Sequence, residues 1–136
     1  MKKTIAIAVV SLSIFSCKTA KIQEAVEGKT WELFAINGVE ANMDDFNRGL
    51  PTATFAADKS VSGHSGCNTY RGTYTLDNKG ALAVDKVMST KMYCEGDGES
   101  RFMKAFANAD KAVIENNELK LLDGSEEVLV FVPKAD

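Results

Sequence analysis

A chain of 136 residues has room for one domain and little beyond it. Its 16 basic residues are outnumbered by 19 acidic ones, for a formal charge of −3. That balance leaves no basic patch suited to a phosphate backbone, which argues against nucleic acid as a partner.

Met1-Lys2-Lys3 is a short positive start, and Thr4 to Phe15 is uncharged and mostly apolar. This run falls short of the ~20 apolar residues that cross a bilayer, so residues 1–16 read as a secretory signal peptide. Ile14-Phe15-Ser16-Cys17 resembles a bacterial lipobox, with an aliphatic residue, then a small residue directly before an obligatory cysteine. The resemblance implies cleavage before Cys17 and lipidation of its thiol and new amino group. The alternative is ordinary cleavage that leaves Cys17 a free thiol. One acyl chain holds a protein marginally and several hold it stably, so the lipidated form is a peripheral membrane protein. Lys18 follows the cysteine where an aspartate retains many lipoproteins in the inner membrane, which favours the outer membrane and leaves the leaflet open. Loss of Lys2 and Lys3 with the leader takes the formal charge from −3 to −5. With Cys17 given to lipid, Cys67 and Cys94 remain as an even pair in an oxidising compartment.

Residues 17–27 read as a polar tether, briefly helical at most, and the domain as residues 28–134. Lys29 to Ile36 is an imperfectly alternating strand that ends at Asn37-Gly38, a strong hairpin signal, with Val39-Glu40-Ala41 returning. Asn42 to Leu50 reads as an acidic, irregular loop. Further strands are expected at 51–56, where proline stands first, and at 60–63, 72–76, 81–84 and 87–90. The period then changes: Phe102, Met103, Phe106 and Ala109 recur at helical spacing from Glu99 to about Asp110, with Asp97 as a cap. Strands resume at 112–115 and 118–122, and Glu127 to Val132 is apolar on both faces, which suits a central position. The fold class is therefore α+β, mainly β: about eight short antiparallel strands in a barrel-like, cracked sheet with one helix inserted before the last three.

The densest stretch runs from Ser62 to Tyr74. Gly63, Gly66 and Gly72 permit close approach or positive φ, and Asn68 suits an Asx-type turn, so the stretch reads as a tight crossover that positions Cys67. Several pieces occur in an order that resembles META (HslJ-like) domains. They are Gly28-Lys29-Thr30-Trp31-Glu32-Leu33, Phe55, Val61-Ser62-Gly63, Gly66-Cys67-Asn68 and Gly72-Thr73-Tyr74, then Ser89-Thr90 through Cys94, Glu99 and Phe102. The resemblance covers nearly the whole mature chain; its signature residues are Gly66, Cys67, Asn68, Gly72, Tyr74, Thr90 and Cys94. It implies an antiparallel barrel-like sheet broken by a helix, similar to secretion pilotin lipoproteins. It also implies a link to envelope or heat stress, and no established enzymatic activity.

A disulfide is the simplest reading of Cys67 and Cys94; two reduced thiols and a metal pair are the alternatives. A His64–Cys67 dyad would need a base that the three-residue spacing hardly supports, and no orienting Asn or Asp stands out, so His64 reads as an exposed turn residue. Met88, Met92, Cys94 and His64 are soft-metal ligand types without a recognised spacing, and core packing is the simpler use of the methionines. Asp44-Asp45, Asp97 with Glu99, and Glu126-Glu127 lack calcium-loop spacing and read as solvated loops. Trp31, Phe34, Phe55, Tyr70 and Tyr74 could line a groove, though core packing suits most of them. No phosphate loop, zinc pattern or serine elbow is present. The expectation is a non-enzymatic, membrane-tethered envelope module without catalytic residues, cofactor or metal. Its partners would be the membrane through Cys17 and an envelope protein. The alternative is a carrier of a small apolar ligand or lipid in the broken barrel.

Overall fold

The computed structural model describes residues 22–136. The expected leader, Cys17 and the first part of the tether lie outside the described residues. Packing begins before Gly28. Helix α1 (Ile22–Val26) is too short to persist alone. It is held because the Gln23 amide donates to Leu76 O, the Trp31 indole donates to Val26 O at 3.0 Å, and Val26 is buried. Glu27 then bridges Phe55 in parallel.

Strand β1 (Thr30–Ile36) turns Trp31 and Leu33 inward and leaves Phe34 half-exposed. Asn37 (φ 48°) and Gly38 (φ 78°) form the two-residue left-handed turn that the sequence predicts. The returning β2 (Val39–Glu40) is only two residues, so β1 also pairs, through Thr30 to Glu32, with β3 (Thr52–Phe55). Strands β4 (Ser60–His64) and β5 (Thr69–Leu76) continue the sheet. The two short strands expected at 81–84 and 87–90 are one strand, β6 (Leu82–Ser89). A bulge hides this continuity: Lys86 has φ 52°, and the β5–β6 register shifts opposite Gly72. A Cβ on Gly72 would stand 2.8 Å from Asp85 O, so the bulge leaves room only for glycine.

Helix α2 (Gly98–Asn108) precedes β7 (Lys111–Glu115), β8 (Glu118–Asp123) and β9 (Glu126–Pro133). Asp97 stands at its N-cap without a capping hydrogen bond; the carboxylate instead accepts from Arg101 Nε at 3.0 Å. The sheet order is β6-β5-β4-β3-β1-β9-β8-β7, with β2 beside β1, all antiparallel. β9, apolar on both faces, sits centrally between β1 and β8. The sheet curls into a half-barrel whose end strands meet at one point. There Ala81 bridges Lys111, Leu82 N donates to Asp110 O at 2.9 Å, and Ala112 N donates to Gly80 O at 2.8 Å. Elsewhere α2 fills the curl, packing on β6, β8 and β9. Phe102 and Phe106, one turn apart, stack at 5.6 Å; Phe106 meets Tyr70 and Phe55, and Phe102 meets Phe131. Each such buried ring contributes about 1.5–3 kcal/mol. The interior is therefore packed with side chains, including Trp31, Phe55, Tyr70 and Tyr74.

One polar tie joins the start of the domain to the sheet. The Glu27 carboxylate accepts from Lys59 Nζ and lies 2.7 Å from the Tyr74 hydroxyl. The Lys59 ammonium, and then Tyr74, hold the Glu27 carboxyl below its ordinary 4.5, while burial and then Glu27 push the Tyr74 phenol up. A depressed carboxylate stabilises the fold fully above its unfolded pKa, and this is lost as pH falls through the lower folded value. Glu27→Gln is therefore expected to melt below the wild type at pH 7, the gap closing under acid conditions. A gap of equal size at both ends of a pH series of thermal melts would assign Glu27 a packing role only.

Candidate functional site

The glycine-rich stretch folds as the end of β4, a turn and the start of β5. Ser65 N donates to Asn68 O at 2.8 Å, and Gly66 takes φ 95°, where a Cβ would fall 2.3 Å from the buried ring of Phe46. His64 is half-buried at the strand end, and its Nδ1 accepts the Gly66 N–H at 3.1 Å. The exposed turn histidine expected from the sequence is thus a turn fastener. Cys67 is buried and forms a disulfide with Cys94 across 27 residues. That bond removes the thiol on which a His64–Cys67 dyad would depend.

Asn68 does not make the expected Asx turn. Its side chain is buried and spans to two other segments. Oδ1 accepts from Met92 N at 2.7 Å and from the Thr90 hydroxyl at 2.9 Å. Nδ2 donates to Met92 O at 3.1 Å and to the Glu99 carboxylate at 3.0 Å. The carboxamide therefore pairs with Met92 as a neighbouring strand would, and it fixes the 91–93 segment, which lies outside any strand, just past Thr90, whose N–H donates to Thr69 O on β5 at 3.1 Å. Glu99, in the first turn of α2, also accepts from Asn68 N at 3.2 Å and from the Ser65 hydroxyl. A carboxylate there is further favoured by the helix N-terminus. Every buried polar side-chain atom among the described residues has a partner. Sequence reasoning placed Glu99 at the helix start and in the family pattern but, with Asp97, read it as a solvated loop residue; it is instead half-buried and bonded to Ser65 and Asn68, the latter 31 residues away.

The fastened segment forms one wall of a groove of about 660 Å³ between the far end of β6 and α2. Val87, Met92, Tyr93, Met103 and Ala107 supply its apolar lining, and Lys91 and Lys104 its cations. Tyr93 is 88% exposed and Met92 49%, and Met88, on β6 outside the groove, is 74% exposed. The core role expected for the methionines is thus wrong for Met88 and Met92, whereas Met103 packs partly against the core. Of the aromatics weighed for a groove, Trp31, Phe55, Tyr70 and Tyr74 are core residues. Among the described residues no three His, Cys, Asp or Glu side chains are grouped to hold a metal ion. In the soft-ligand set, the Cys94 sulfur is bonded to Cys67 and His64 Nδ1 to Gly66. The acidic pairs are partly committed: Asp45 and Asp97 to Arg101, Glu127 to Lys120.

A family model described as META domain matches residues 24–136. Among curated proteins none matches the chain. A protein from Burkholderia xenovorans, solved by NMR, is similar over 100% of both chains, with 20% identity and a TM-score of 0.65. A DUF4847 family protein from Bacteroides vulgatus ATCC 8482, solved by crystallography, is 19% identical with a TM-score of 0.61, over 82% of this chain and 96% of its own. A further NMR structure matches 80% of this chain and 92% of its own, at 20% identity and a TM-score of 0.64. At these identities the likeness is one of fold.

Three measurements test the node. Asn68→Ala leaves Met92 and Glu99 groups unpaired and is expected to cost about 2–4 kcal/mol in urea unfolding. Reducing the disulfide, which closes a loop across 27 residues, is expected to cost roughly 3–4 kcal/mol in the chain-entropy picture. Peptide mapping without reductant should recover the Cys67 and Cys94 peptides joined; a free Cys94 thiol in exported protein would contradict the structure.

Proposed function

The chain belongs to the META domain family, and on that premise we propose that it is a lipid-anchored lipoprotein of the cell envelope whose domain is a non-enzymatic, stress-related binding module. The anchor is Cys17, acylated after removal of residues 1–16, and Lys18 favours the outer membrane. The observation that carries the non-enzymatic reading is the saturation of the family signature. The two sulfurs are bonded to each other, the Asn68 carboxamide uses all its hydrogen-bonding capacity, and Glu99 is turned onto Asn68 and Ser65. Catalysis needs a nucleophile or base left free to act. These groups are spent on holding the groove wall in place.

A second reading, a carrier of a small apolar ligand or lipid, draws on the same groove. The curl itself is packed by α2, so an acyl chain would lie outside, along Val87, Met92 and Met103. Native mass spectrometry of gently extracted protein separates the two, since a carrier retains a lipid that a protein-binding module lacks.

The anchor has its own test. Wild-type protein expressed in a bacterium is expected to incorporate labelled palmitate and sediment with outer membranes, and Cys17→Ser to lose both properties. Unlabelled wild-type protein would end the lipoprotein reading. Growth of a deletion strain under envelope stresses tests the stress association, and indifference to all of them would count against it.

A further inference from the structure

The groove carries a charge opposite to that of the protein around it. Three charged residues line it: Glu99, Lys91 and Lys104. Glu99 is committed to Ser65 and Asn68. Among the described residues neither lysine pairs with a carboxylate, and Lys91 reaches only the Ser89 hydroxyl at 3.4 Å. Two uncompensated cations thus flank an apolar surface in a chain of net charge −3. A complementary occupant brings apolar side chains together with carboxylates.

Two further observations bear on its size and source. The apolar surface does not stop at the groove, since Tyr93 stands 88% exposed at its edge. A single acyl chain lies in a groove, whereas a peptide segment also covers its edge. Methionine thioethers, supplied here by Met92 and Met103, adapt to such segments. The second observation is where the chain leaves the domain. Ile22 packs by Gly80, next to the start of β6, and the groove is at the strand's far end, about 23 Å along it. Cys17 can stand no more than about 17 Å from Ile22. On these lengths Cys17 itself falls short of the groove, so the tether is not its occupant.

Resting on the binding-module reading above, we infer that this groove docks a segment of another envelope protein, apolar on one side and flanked by aspartate or glutamate. Lys91 and Lys104 engage its carboxylates, and Val87, Met92, Tyr93 and Met103 engage its apolar side.

Photo-crosslinking of the full-length protein in its own envelope tests this. Benzoylphenylalanine replaces Tyr93 in one strain and, as a control, Lys79 beside the anchor end of β6 in another. Irradiation at position 93 is expected to give a protein adduct that maps by mass spectrometry to an acidic, apolar segment. The adduct should fall about tenfold in a Lys91→Glu/Lys104→Glu background and survive in Lys91→Arg/Lys104→Arg. Immunoblotting normalises each yield to protein present, and Lys104→Gln serves if the double reversal lowers abundance. Each of four results overturns the inference: no protein adduct, adducts to lipid alone, the same adduct from position 79, or a yield indifferent to lysine charge. Palmitate incorporation, followed in the same strains, does not depend on the lysines, so failure of the anchor and failure of docking are separately visible.

Discussion

The Asn68 carboxamide is the contact on which the open side of this fold depends. A half-barrel has two end strands, and here they meet only where Ala81 bridges Lys111. Beyond that point the chain must pass from β6 to α2 through residues 90–97, which form no strand or helix. A connection of this kind beside a packed core leaves backbone groups without ladder partners, and their burial is costly unless side chains replace the ladder. Asn68 replaces it at Met92, taking both the N–H and the C=O. Glu99 joins the same carboxamide to the first turn of α2, and the Cys67–Cys94 bond closes the connection covalently next door. Phe46, wedged against Gly66, adds the 41–51 loop to the same place. Four stretches distant in sequence are thus fixed by one buried amide, one carboxylate, one disulfide and one ring.

What was legible in the sequence was what local chemistry decides. Asn37-Gly38 demands a left-handed two-residue turn wherever it occurs, and Phe102 and Phe106 lie on one helix face by spacing alone. The apolar run at the chain's end suits a central strand, and β9 lies between β1 and β8. With Cys17 expected to carry lipid, Cys67 and Cys94 remained as a pair whose simplest reading, a disulfide, is what the structure holds. Features that depend on distant partners were not legible. β6 looked like two strands because Lys86 and its neighbours interrupt the alternation, and only Gly72 across the ladder explains the bulge. Phe46 sat in an acidic run that reads as loop, yet it is fully buried. Asn68 has the local signature of a turn residue; its burial and its reach to Met92 and Glu99 need the tertiary fold.

The same physics keeps concave surface on the outside of the fold. A cracked barrel suggests a ligand within, but Trp31, Tyr70, Tyr74, Phe102, Phe106 and Phe131 fill the curl, and a packed interior has no room to give without cavity or strain costs. A groove opens instead where β6 and α2 part, and one wall of it is the segment that the Asn68 node holds. A rigid wall matters to binding because ordering a loose segment at the moment of docking subtracts from affinity, about 1–2 kcal/mol for each backbone residue fixed. By ordering residues 90–94 in advance, the disulfide and the carboxamide bear that cost during folding. The structural part of the family signature is then visible: Asn68 and Thr90 line the groove, and with the Cys67–Cys94 bond they fix the segment that carries Lys91, Met92 and Tyr93.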